Sequence, residues 1–216
     1  AGSTSARIRA NAGAFAFAGA FAFAGAFAPN APWGETPYRT LPRQLKGAPW
    51  WLARGDTASL ARFAARAARD VRHSAGAAAL RGRYLHGTAL AYLALARGDS
   101  LRAATLLLSL PDTLCMVTNC FYEKVTLARL RAAKAGYREA AELLDRWGRS
   151  AGNTPSSVLA ALDRARIALQ LADTATAVNR YRFIAEAWRN ADPALQPYVT
   201  EATGALSRLR PDIKHP

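Results

Sequence analysis

Two hydrophobic patterns divide the chain near residue 52. From Gly13 to Phe27 every even position is Ala and every odd position is Gly or Phe, a strict period of two. As a strand, this stretch puts alanine on one face and Phe-Phe-Gly on the other. As a helix, it scatters Phe15, Phe17, Phe21, Phe23 and Phe27 around the axis, a pattern suited to lipid or to a protein interior. Helical residues 12–28 would reach about 25 Å, short of the roughly 30 Å hydrocarbon core of a bilayer. Either geometry needs lipid or another protein to cover it. The same region, with its basic start, apolar middle and AFA, also resembles a secretory signal peptide.

Residues 29–51 carry Pro29, Pro32, Pro37, Pro42 and Pro49. Proline at that density predicts extended chain. Trp33, Tyr38, Trp50 and Trp51 are interleaved with the prolines, and disordered linkers are poor in such rings. The rings suit anchors of an arm lying on a partner; the alternative is that they fold back on the chain's own helical domain.

After residue 52 the period changes to that of helices, expected over 57–73, 77–96, 100–110, 122–134, 138–148, 156–171, 174–190 and 193–209. The first puts Leu60, Phe63, Ala67 and Val71 on one face and Arg62, Arg66, Arg69 and His73 on another. The second is apolar nearly all round after Arg83, so it belongs at the centre, and close helix packing is a reason for Gly82 and Gly87 there. Four turns recur: ARGDTAS at 53–59, ARGDSLR at 96–102, AKAGYRE at 133–139 and QLADTAT at 170–176. Their marker residues Gly55, Gly98, Gly136 and Ala172 stand 43, 38 and 36 residues apart, the period of helix-pair repeats. The turn chemistry fits: glycine would end one helix in a left-handed conformation, and Asp56, Asp99 or Asp173 would cap the next. Thr154-Pro155 and Asp192-Pro193 mark two further starts.

The net charge of +14 is almost all arginine. Residues 1–110 hold 14 basic and 4 acidic side chains, residues 111–216 hold 15 and 11. Such a chain seeks anionic surfaces: lipid headgroups, acidic protein or nucleic acid. Cys115 and Cys120 admit a small disulfide, which would favour an oxidising compartment such as the periplasm, and equally two free thiols. No nucleophile motif, phosphate loop, dinucleotide fingerprint or metal-binding pair accompanies His73, His86 and His215. Glu139 and Glu142 lie among arginines, as on a solvated helix face. The expectation is a protein that is not an enzyme and carries no cofactor or metal.

The region 53–210 resembles the tetratricopeptide repeat. Counted from the turn markers, Ala103, Ala141 and Ala177 take the small position five residues on, Ala91 and Ala165 the small position seven before, and Leu107 and Tyr181 the large position nine on. Pro193 resembles the proline that closes a repeat; the family's early Trp and Leu-Gly pair are missing, and the loop 111–121 is longer than usual. The stretch from Tyr181 to Asp212 also resembles repeat regions that follow bacterial kinase domains, without any kinase motif. The resemblance implies an all-α, right-handed solenoid of helix pairs (53–210, then a tail 211–216) behind an arm (1–28) and linker (29–52). It also resembles the extrinsic subunits that brace photosynthetic reaction centres within light-harvesting rings. That implies a membrane-extrinsic scaffold on the periplasmic side, whose partners are other protein subunits and lipid headgroups. Partner contacts then fall to Phe15, Phe17, Phe21, Phe23, Phe27, Trp33, Tyr38, Trp50 and Trp51, and the basic surface to Arg62, Arg66 and Arg69. An RNA-binding accessory subunit and a soluble peptide-binding adaptor are the alternatives.

Overall fold

The computed structural model describes residues 40–115, 120–148 and 154–209, and all regular structure within them is helical. The helices are α1 (Thr40–Ala53), α2 (Thr57–Arg72), α3 (Gly76–Ala96), α4 (Ser100–Leu108), α5 (Phe121–Ala132), α6 (Tyr137–Trp147), α7 (Pro155–Gln170), α8 (Thr174–Ala187) and α9 (Gln196–Leu209). Short 3-10 turns at Asp112–Leu114 and Pro193–Leu195 precede α5 and α9. Pro193 therefore opens a 3-10 turn, and Asp192 makes no side-chain cap there. The arm and the first part of the linker lie outside the described residues.

The expected extended chain over 40–52 is instead the helix α1, a correction. Pro42 sits in its first turn, where a missing N–H costs nothing. Pro49 is interior and costs about 3 kcal/mol. Packing offsets it: Ala48 is fully buried, and the Trp51 ring stands 5.9 Å from that of Phe63 on α2. Trp51 also lies back over Gly47, where a Cβ would come within 3.1 Å of the ring.

One junction is built four times, between α1 and α2, α3 and α4, α5 and α6, and α7 and α8. In each, a residue with positive φ follows the helix: Gly55 (65°), Gly98 (81°), Ala135 (60°) and Ala172 (56°). The next residue donates its N–H five residues back at 2.9 Å: Asp56 to Trp51, Asp99 to Ala94, Gly136 to Arg131 and Asp173 to Ala168. These are Schellman closures. Asp56, Asp99 and Asp173 then accept from the N–H of Ser59, Arg102 and Thr176. The hydrogen bond from Ser59 holds Asp56 below the usual carboxylate range, and that from Thr176 does the same for Asp173.

The sequence register was one residue off at the third turn. Ala135, not Gly136, is left-handed; Gly136 (φ −75°) takes the N-cap place without a side chain to cap. With Ala135 as marker, Gly98, Ala135 and Ala172 stand 37 residues apart. The packing positions then fall into line. Ala48, Ala91, Ala128 and Ala165, each seven before a marker, are all 0% exposed. Leu60, Ala103, Ala140 and Ala177, each five after, are also 0% exposed. Leu107, Leu144 and Tyr181, nine after, are buried. Ala140 thus replaces Ala141 in the expected set. By Ala48 and its closing turn, α1 occupies the place of the second helix of a pair.

The chain divides into two compact units at Leu130/Arg131, inside α5. In the first, α3 is buried on most sides, as expected, and packs against α1, α2 and α4. In the second, α7 packs against α6 and α8, and α8 against α9. Bidentate ion pairs fix these helices. Arg164 of α7 donates to both carboxylate oxygens of Asp145 on α6 at 3.0 Å, and Arg166 of α7 donates to Glu201 of α9 at 2.7 Å.

Candidate interaction surfaces

The stripe expected on α2 is present. Its Leu60, Phe63, Ala64 and Ala67 face inward, so Arg62, Arg66 and Arg69, one or two turns apart, are left in water. Arg62 donates to Ser59 Oγ at 2.8 Å, and His73 closes the helix with Nδ1 2.8 Å from the carbonyl of Arg69. No ion pair holds any of the three arginines among the described residues. The second unit contrasts with this. There Arg131 meets Glu139 at 3.2 Å, Arg164 meets Asp145 and Asp173, Arg166 meets Glu201 and Asp163, and Arg180 lies 3.5 Å from Asp145. Four arginines of the second unit, Arg131, Arg164, Arg166 and Arg180, thus hold carboxylates, whereas those of α2 stand open to an anion.

Of the expected ring anchors, Trp50 and Trp51 fall in the described residues; Phe15, Phe17, Phe21, Phe23, Phe27, Trp33 and Tyr38 lie outside them. Trp51 takes the folded-back alternative, packed on Phe63. Trp50 is half-buried beneath the Arg54 guanidinium, 4.9 Å from the ring centroid.

Cys115 and Cys120 form a disulfide, with Cα atoms 4.8 Å apart. It closes the α4–α5 connection, and the pair formed by Lys124 of α5 and Asp112 of the 3-10 turn holds the same corner. Lys124 is nearly buried.

A polar cluster that the sequence reading missed lies beside this corner. Glu123, in the first turn of α5, is 2% exposed, and its Oε1 has no hydrogen-bond partner among the described residues. Burial pushes its carboxyl up to about 7, against a smaller opposing pull from its own backbone N–H and a still smaller one from Lys124. Tyr92 of α3 reaches Thr126 of α5 with 3.1 Å between hydroxyls. Burial, then the Glu123 charge, pushes the Tyr92 hydroxyl well above its ordinary value. Tyr84, Thr88 and Tyr92 recur at intervals of four along α3. That spacing on an otherwise apolar helix was the available signal.

An open groove of about 290 Å³ runs along α8, lined by Thr176, Asn179, Arg180 and Phe183. Its described lining comes from one helix, and its cation is already beside Asp145. Among the described residues no three His, Cys, Asp or Glu side chains converge as metal ligands. No helix among them is long and apolar enough to cross a membrane. No family model, no curated protein and no solved structure matches the chain.

Proposed function

We propose that the chain is a non-catalytic, membrane-extrinsic scaffold subunit, in which helix pairs of the tetratricopeptide type stack as a right-handed solenoid and residues 1–39 reach toward neighbouring subunits. The observation that carries this reading is the junction repeated at Gly55, Gly98, Ala135 and Ala172, with a fully buried alanine seven residues before each. Stacked pairs of this kind supply extended surface rather than a reaction chamber. The exposed arginines of α2 support docking on an anionic surface, lipid headgroup or acidic protein. The Cys115–Cys120 disulfide supports an oxidising compartment, hence the periplasmic side. Within this reading, the specific assembly is a photosynthetic reaction centre with its light-harvesting rings, to which the chain would bring no pigment ligand.

The open arginines of α2 also suit phosphate, which keeps an RNA-binding accessory role as the second reading. Fractionation of cells that produce the chain separates the two. The scaffold stays with membranes after a salt wash, and cross-links from residues 7–39 land on a fixed set of subunits. Recovery as a free soluble monomer, or on RNA with steep salt dependence, overturns it.

A further inference from the structure

The repeat register singles out one helix face. Three, seven and ten residues after each marker lie Ala58, Arg62 and Ala65 on α2; Leu101, Thr105 and Leu108 on α4; Arg138, Glu142 and Asp145 on α6; and Ala175, Asn179 and Arg182 on α8. All twelve are exposed. These are the solvent positions of the first helix of every pair, and three of the four helices fill them with small or polar residues. Only α4 puts large apolar side chains there. Leu101 is 77% and Leu108 60% exposed, the two most exposed large hydrophobic residues described. The interior needs neither, because Ala103, Leu107 and Leu110 already face it.

Two leucines seven residues apart stand on one side of a helix, about 10 Å apart along its axis. That is the spacing of side chains that interlock with a single facing helix. Arg97 and Arg102 flank the pair, both exposed and neither in an ion pair among the described residues. Asp99, the nearby acid, already accepts from the N–H of Arg102 as helix cap. The equivalent positions of α2 hold Arg62 and no acid. A partner complementary to this surface is apolar along one stripe and acidic beside it.

We infer that the outer face of α4, centred on Leu101 and Leu108, docks an acidic amphipathic helix of another protein. This rests on the scaffold reading and names the chemistry of one partner. The leucines enter the partner's apolar stripe, and Arg97 and Arg102 meet its carboxylates at the rim, where they set encounter rate and salt dependence.

The test uses the full chain and a labelled helical peptide of about 20 residues, built from Leu, Ala and Glu with leucines on one face. A scrambled peptide of the same composition is the control. The chain binds the amphipathic peptide at least about tenfold more tightly than the scramble. Leu101→Ser with Leu108→Ser removes that preference while leaving the helical circular dichroism unchanged. Arg97→Gln with Arg102→Gln weakens binding and flattens its salt dependence. Equal affinity for the scramble overturns the proposal, as does full affinity in the leucine variant. So does loss, on the same leucine substitutions, of self-association or of binding to anionic vesicles, since each names a different occupant. Membrane retention after a salt wash is read separately, so either result can fail without the other.

Discussion

The Cβ that Gly82 lacks would lie 2.9 Å from Cγ2 of Val71, and 3.4 Å from the Val71 backbone nitrogen. Helix α3 thus rests directly on the last turn of α2. Gly87, one and a half turns on, faces only the end of a side chain, Leu110 Cδ2 at 2.8 Å. The two glycines should respond differently to alanine. Each substitution gains about 1 kcal/mol of helix propensity. At Gly82 the short, stiff β-branched side chain of Val71 must give way, an overpacking cost of about 1–3 kcal/mol. Gly82→Ala is expected to destabilise by about 1 kcal/mol, and Gly87→Ala to be neutral or stabilising by up to about 1 kcal/mol. Urea midpoints at constant slope check both.

The third junction departs from all three counterparts at the cap position, and it shares with the fourth, Ala172, an alanine in the left-handed place. Ala135 takes φ 60°, a conformation that costs a residue with a Cβ about 1 kcal/mol. Gly136 stands where Asp56, Asp99 and Asp173 cap, with φ −75° against their −78°, −86° and −84°. A Cβ at Gly136 would lie 3.2 Å from the Arg131 carbonyl. The aspartates accommodate the same closing hydrogen bond at their own junctions. Ala135→Gly is expected to stabilise by about 1 kcal/mol, and Gly136→Asp to add about 1 kcal/mol more. Thermal melts of the single and double variants read this directly.

These turns also mark how far the sequence could be read. Eight helices after residue 56 were legible within a few residues, because Leu60, Phe63 and Ala67 keep a helical period and Asp56, Asp99 and Asp173 announce their starts. Helix α1 was not legible. Its prolines argue against a helix locally, and only the burial of Ala48 and the Trp51–Phe63 contact override them. The one-residue slip at Ala135 has a similar cause: glycine is the favoured left-handed residue, and alanine in that place carries no local signal. The stripe of Arg62, Arg66 and Arg69 could be read from spacing alone. Burial of Glu123 could not, since a carboxylate in a first helical turn ordinarily faces water. Nor was the exposure of Leu101 and Leu108 legible, because leucine in a helix is expected inside.

The Cys115–Cys120 bond closes a short loop, with a sequence separation of 5. Loop-closure entropy at that length is worth about 2 kcal/mol. The disulfide anchors the start of α5, from which Phe121, Val125 and Leu127 enter the core. Reduction is expected to lower stability by about 2 kcal/mol and to loosen α5 before the second unit. Chemical denaturation with and without reductant checks the magnitude, and hydrogen exchange locates the change. The Cys115→Ser/Cys120→Ser variant should match the reduced chain and ignore reductant.

Glu123 should make stability fall as pH rises. Its carboxyl is pushed up to about 7 by burial, from an ordinary value of 4.5. Between those values the folded chain holds a proton that the unfolded chain has released, so raising the pH draws the equilibrium toward unfolding. The contribution is whole below the unfolded value, declines through the window, and is lost above the folded one. Its full size is on the order of 3 kcal/mol. Other groups titrate over the same range, so the informative quantity is the difference from Glu123→Gln, which keeps the shape and cannot ionise. That difference is expected to grow by about 2 kcal/mol in favour of the glutamine variant between about pH 5 and about pH 8. A gap that stays constant would place the Glu123 carboxylate in contact with water or with a cation. Lys124 would not supply that contact while it remains bound to Asp112.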